Sequence, residues 1–128
     1  MATIARFEEL EIWQLAVEQE KVIFVLTLQG SFARDFSLID QIRRSSGSVM
    51  DNIAEGFDRG GRLEFKNFLS YSKGSNGEVR SQIYRAKNRG YITSEIFEER
   101  ISQNEEIAVK TTKLIQYLKL TDKKGTKF

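Results

Sequence analysis

Apolar residues recur at helical intervals along almost the whole chain. Leu10, Trp13, Val17, Phe24 and Leu28 are spaced to line one face of a helix over about 8–28. Ile12, Ala16, Ile23 and Leu26, with Leu15 and Val22 nearby, make a second stripe on that helix. Gly30 follows, suited to a left-handed cap at its end. The pattern predicts a second helix over about 37–57, opened by a Ser37/Asp40 capping box and stopped at Gly56. Ile39, Ile42, Val49, Ile53 and Phe57 form its inner face, with Ser46 between them. A third helix, about 62–88, turns Phe65, Phe68, Leu69, Ser72, Val79, Ile83 and Ala86 inward. A fourth, about 94–118, does the same with Phe97, Ile101, Ala108, Ile115 and Leu118. Short turns at 58–61 and 89–93 join them, and the polar stretch 121–128 is expected to fray. Long helices joined by short turns specify an all-α, up-down-up-down antiparallel four-helix bundle, one domain over residues 1–128.

The first helix carries more apolar surface than such a bundle requires, since one stripe suffices to face a core. The second stripe is either a wide core face or a surface for other subunits. The preferred reading makes Ile12, Ala16, Ile23 and Leu26 a homo-oligomer interface.

The chain has 128 residues, 40% of them apolar and 30% charged, within the range of folded globular proteins. It has no Cys, His or Pro. That excludes disulfides, thiolate metal sites, His-based catalytic triads and the Glu-x-x-His ligands of di-iron bundles. No apolar run approaches the ~20 residues that span a bilayer. The first residues lack a basic-then-apolar signal pattern, so the expected location is cytoplasmic, without membrane contact.

Several polar residues fall in the middle of predicted helices. Asn52 and Glu55 lie three apart on one face of the second helix, and Ser75 with Glu78 does the same on the third. Antiparallel pairing through the 58–61 turn brings position 78 near 42–45, within reach of Arg43 or Arg44. A hard cation held by Glu55, Glu78 and Asn52 is one reading. The preferred one is a structural network of Arg43, Arg44, Asn52, Glu55, Ser75 and Glu78 that fixes helix register. On it, no catalytic residue, metal or cofactor is expected. Gly74 and Gly77 each forgo ~1 kcal/mol relative to Ala, which suggests close approach of a neighbouring helix or a slight bend.

Charge is unevenly placed. Residues 1–29 hold two basic and five acidic side chains; residues 59–89 hold eight basic and two acidic. On the third helix Lys66, Lys73, Arg80 and Lys87 recur every seven residues, with Arg62 one turn earlier. This ridge flanks the core. It can pair with the acidic first helix, within or between subunits, or bind nucleic-acid phosphates.

Residues 41–57, Gln-Ile-Arg-Arg-Ser-Ser-Gly-Ser-Val-Met-Asp-Asn-Ile-Ala-Glu-Gly-Phe, are the most distinctive stretch. With Arg-Phe-Glu-Glu-Leu-Glu-Ile-Trp-Gln at 6–14, Gly-Ser-Asn-Gly-Glu at 74–78 and Gly-Tyr-Ile at 90–92, they resemble a known family. It is the four-helix bundle family encoded by intervening sequences of bacterial large-subunit rRNA genes. The resemblance implies that the Asn52, Glu55, Ser75 and Glu78 positions matter, and that the chain forms homopentamers arranged as a barrel. The chain departs from the family at Asn76-Gly77, where many relatives carry apolar residues or Ala, and lacks a Pro near Met50 and an acidic residue near Arg80. A group related in fold, the accessory variability protein of diversity-generating retroelements, is similar and works with a reverse transcriptase and nucleic acid. The resulting expectation is a non-enzymatic oligomer associated with RNA or DNA through Arg62, Lys66, Lys73, Arg80 and Lys87. The alternative is a scaffold for a protein partner, its ridge used in salt bridges between subunits.

Overall fold

The computed structural model describes residues 3–122. A short 3₁₀ turn at Phe7–Glu9 precedes α1 (Glu11–Leu26), and another at Gly30–Arg34 leads into α2 (Phe36–Asp58). Then come α3 (Arg62–Asn88) and α4 (Ser94–Asp122). Helix α3 packs against α2 and α4, and α1 packs against the same two. Sequential helices joined by short turns are therefore neighbours, and α1 lies diagonally across from α3.

The core confirms the expected inner faces of α2 and α3. Ile42, Val49 and Ile53 meet Leu69, Val79 and Ile83, all at most 2% exposed. On α4 the inner face includes Ile107, not Ala108, which is only partly buried.

Helix α1 overturns the interface expectation. Ile12, Ala16 and Ile23 are fully buried within the subunit, and Leu26 is partly buried against the same core. They are core residues. The stripe assigned to the core divides: Leu10 is buried and Trp13 partly so, but Phe24 and Leu28 are exposed. The reason is Gln19, fully buried between Ala16 and Ile23. Its amide is hydrogen-bonded by two asparagines, so the inner seam runs 12-16-19-23 through a polar residue.

Helix ends also differ from expectation. Asp35 caps α2, its Oδ1 accepting from the Leu38 N–H at 3.1 Å. Ser37 sits exposed inside the first turn, where it accepts from Gln41. Gly30 is left-handed as expected (φ +54), but it opens the second 3₁₀ turn, and Thr27 caps α1. Residue Thr121, expected to fray, is helical; residues 123–128 lie outside the described part.

Gly56 does not stop α2, which continues to Asp58. It permits close approach of α3. A Cβ there would lie 2.5 Å from Phe68 Cβ and 3.3 Å from Phe65 Cδ1. Phe68 Cβ is fixed to the backbone, so relief requires moving a helix. Gly56→Ala is expected to lower stability by about 2 kcal/mol, within the usual range for overpacking. Chemical denaturation followed by circular dichroism reads this directly; an unchanged midpoint would show that the helices separate without penalty.

Candidate functional site

The basic ridge lies on the flank of α3 that faces α4, since Lys87 Nζ sits 4.6 Å from the ring centroid of Phe97 on α4. Lys73 and Arg80 are exposed, and neither has an acidic partner among the described residues. Lys66, Lys87 and Arg62 are partly buried. Two guanidinium nitrogens of Arg62, Nε and Nη2, are buried without a hydrogen-bond partner. Thus the ridge is continuous in sequence but presents two freely exposed cations at its centre. Among the described residues Lys73 and Arg80 do not pair with α1: it lies diagonally opposite, and its Glu11 binds Lys110 of α4 at 2.7 Å.

The expected polar network separates into parts. Asn52 Nδ2 donates to the Ser48 carbonyl and to Ser48 Oγ, both at 2.9 Å, and Ser48 Oγ meets Ser75 Oγ at 2.9 Å. Asn52 and Ser75 are therefore joined, through a serine that the sequence reading did not single out. Glu55 is exposed and pairs with Arg59 at 2.7 Å, one turn along the same helix. Arg43 turns to α1, donating to Thr27 Oγ1 and lying 4.4 Å from the Phe24 ring centroid. Arg44 pairs with Asp40. Glu78 is exposed and makes no ion pair among the described residues, so the expected Glu78–Arg43 or Glu78–Arg44 bridge is absent. The antiparallel register was right all the same. Arg44 and Glu78 line one recess of about 230 Å³ between α2 and α3, with Ser45, Ser48, Ser75 and Gln82. Glu55 belongs instead to a second recess, which runs along α2 and shares Arg44 and Ser48 with the first. Among the described residues no three acidic side chains converge as a metal site would need.

Gly74 and Gly77 do not accommodate another helix of the bundle. A Cβ at either would meet nothing within 4 Å.

The polar cluster that sequence reasoning missed lies in the core. Gln19 of α1, Asn76 of α3 and Asn104 of α4 are each at most 1% exposed. Gln19 Nε2 donates to Asn76 Oδ1 at 3.1 Å, and Asn104 Nδ2 donates to Gln19 Oε1 at 2.9 Å. Asn76 Nδ2 donates to the Asn104 carbonyl at 3.0 Å, while Asn104 Nδ2 also reaches the Asn76 carbonyl. A signal was present: Gln19 falls in step with 12, 16 and 23, and Asn104 with 97, 101 and 108.

A third cluster ties the start of α2 to the α3–α4 turn. Asp35 Oδ2 accepts from Tyr91 Oη at 2.7 Å and Arg89 Nη1 at 2.6 Å. The hydrogen bonds from Tyr91, the Leu38 N–H and Arg89 hold the carboxyl below its ordinary value of 3.8. A carboxyl whose pKa is lowered on folding contributes stability above its unfolded value and loses it as pH falls through the folded one. Wild type is therefore expected to lose stability below about pH 4 more steeply than Asp35→Asn. Denaturation midpoints from pH 7 to pH 2 test this, and parallel curves would sink it. The same hydrogen bond raises the Tyr91 phenol, so its share is present below pH ~10 and lost above.

No curated protein matches the chain. Residues 8–113 match the family described as 23S rRNA-intervening sequence protein. The chain belongs to this family. The matched span runs from the first 3₁₀ turn into the second half of α4, and so contains the core amide cluster, the ridge and both recesses. Among solved structures, the intervening-sequence protein is similar to one from Bacteroides thetaiotaomicron, described as a protein of unknown function from the S23 ribosomal protein family. The two share 22% identity with a TM-score of 0.74, covering 81% of this chain and 97% of that one. At that identity the likeness shows a shared fold.

Proposed function

We propose that this intervening-sequence protein is a non-enzymatic accessory protein that binds RNA or DNA through phosphate contacts from α3. The observation that carries the reading is the pair Lys73 and Arg80, exposed on one flank without an acidic partner among the described residues. Seven residues of helix separate them by roughly 10 Å, about three base-pair steps along the axis of a DNA duplex. Lys66, Lys87 and Arg62 extend the positive field on either side. No helix among the described residues is long and apolar enough to cross a membrane. The description of the Bacteroides protein as one of the S23 ribosomal protein family supports nucleic acid as the partner class.

Self-association, as a ring of five copies on the family resemblance, uses the exposed Phe24 and Val25 of α1 with Leu28 just beyond its cap. A ring needs two different adhesive faces on each subunit, of which this apolar patch is one.

The test is an anisotropy titration of labelled single- and double-stranded RNA and DNA at several salt concentrations. The expected result is micromolar or tighter binding that weakens steeply with salt, log K falling by about 0.7 per phosphate contacted on single strands. Failure to bind even at low salt would overturn the reading. It would favour a protein-interaction scaffold, a function consistent with Lys87 packed on Phe97 and Arg62 partly buried.

A further inference from the structure

We infer that Tyr84 is a base-stacking platform set into the basic ridge, which takes a single nucleic-acid strand with one unpaired base lying on the Tyr84 ring. The inference rests on the phosphate-binding reading above and narrows it to single strands.

The platform follows from spacing along α3. Lys73, Gly77, Arg80, Tyr84 and Lys87 succeed one another at intervals of four, three, four and three, so they share one face of the helix. Tyr84 therefore lies one turn beyond Arg80 and one turn before Lys87. It is 49% exposed. Gly77 adds no side chain to this face, and a Cβ there would meet nothing within 4 Å. The surface between Lys73 and Arg80 is thus open down to the helix backbone.

The ring is held from beneath. Its centroid lies 4.9 Å from that of Phe97 on α4, with the two planes at 76°. Phe97 is itself buried, and Lys87 Nζ lies against its ring. Such an edge contact leaves one face of Tyr84 uncovered by Phe97, whichever ring supplies the edge. A tyrosine supported in this way has little side-chain freedom left to lose when a ligand lands on it. A flat aromatic face accepts any base, because every base has a π surface.

Charge decides how the strand lies. Lys73 and Arg80, exposed and without acidic partners among the described residues, supply phosphate contacts before the ring. On α4 the exposed Glu98 and Glu105 follow Phe97 and Asn104, and neither makes an ion pair among the described residues. Their carboxylates repel phosphate and confine the backbone of a bound strand to α3. Arg85 lies on the opposite flank, where it donates to Gln41 of α2. Tyr71, also exposed, packs on Phe68 of that same flank. A duplex laid on the ridge keeps its bases stacked on one another, out of reach of Tyr84. It also brings a second row of phosphates that the α4 carboxylates oppose.

The test uses three labelled probes of one length, by fluorescence anisotropy at one salt concentration. They are oligothymidylate, an abasic strand with the same phosphates, and a duplex. Wild type is expected to bind oligothymidylate about tenfold more tightly than the abasic strand, within the range for one base on an aromatic side chain. It should also prefer oligothymidylate to the duplex. Tyr84→Leu keeps apolar packing on Phe97 and removes the flat face, so the ratio between the two strands should fall to about one. Its affinity for the duplex should match that of wild type. Tyr84→Phe should retain the ratio, and Lys73→Glu should weaken both strands and leave the ratio unchanged. Thermal melting checks the fold of each variant. Equal binding of the two strands by wild type, a ratio that survives Tyr84→Leu, or tighter binding of the duplex overturns the platform while leaving phosphate binding standing. Failure to bind any probe overturns both.

Discussion

Asn104→Ala is expected to lower the stability of the bundle by about 3 kcal/mol, through the loss of one amide from the centre of its core. The substitution leaves Gln19 Oε1 buried without a donor and opens a void where α1, α3 and α4 meet. A buried acceptor deprived of its partner costs about 1–3 kcal/mol. The void and the lost contacts of Asn104 supply the remainder. For a domain of this size the melting temperature should fall by roughly 10 °C. A companion variant separates specificity from stability. Replacing Gln19, Asn76 and Asn104 together by Leu removes every amide and orphans none, so it should be much less damaging than the single change. Denaturant titrations of both variants decide the matter. A cost below about 1 kcal/mol for Asn104→Ala would mean that the network does no more than a surface contact.

The charge-reversed pair Lys73→Glu, Arg80→Glu is expected to weaken single-stranded nucleic-acid binding by at least tenfold near 100 mM salt. Loss of two phosphate contacts should reduce the steepness of log K against log salt by about 1.4. Both side chains are exposed and unpaired among the described residues, so stability should shift by no more than about 0.5 kcal/mol. The combination of lost affinity and unchanged melting is the signature of a binding surface. If binding persists with an unchanged salt slope, the phosphates are contacted elsewhere. If the protein dissociates into smaller species instead, as sedimentation would show, the ridge belongs to an intersubunit contact.

Helix number, order and approximate bounds were legible because each helix repeats its apolar residues over several turns. The bounds of α3, Arg62–Asn88, follow from glycine-rich turns, in which Gly60 and Gly90 adopt φ +82 and +74. What the sequence concealed was the choice between the two stripes of α1. That choice depends on Gln19, whose burial is acceptable only because Asn76 and Asn104 arrive from 57 and 85 residues away. The candidate site was half legible for a similar reason. Spacing placed Ser75 and Glu78 opposite the 44–48 region, and they are there. Arg43 and Arg44, adjacent in sequence, point about 100° apart on a helix. One therefore faces α1 and the other the recess, a distinction that requires knowing on which side each neighbouring helix lies. Gln82 escaped notice because a glutamine in a basic stretch looks solvated until its burial is seen.

The core amide cluster also governs how the molecule ages chemically. Asn76 precedes Gly77, the pairing in which a backbone nitrogen most readily attacks the side-chain carbonyl carbon. Ammonia leaves, and water opens the resulting ring to aspartate or isoaspartate. In the folded chain Gly77 is held inside α3, and the Asn76 amide is bonded at both ends at 1% exposure. The reaction therefore proceeds through molecules whose bundle has opened. Each product leaves a carboxylate where Gln19 and Asn104 expect an amide, so a molecule that has opened long enough to react does not close as well again.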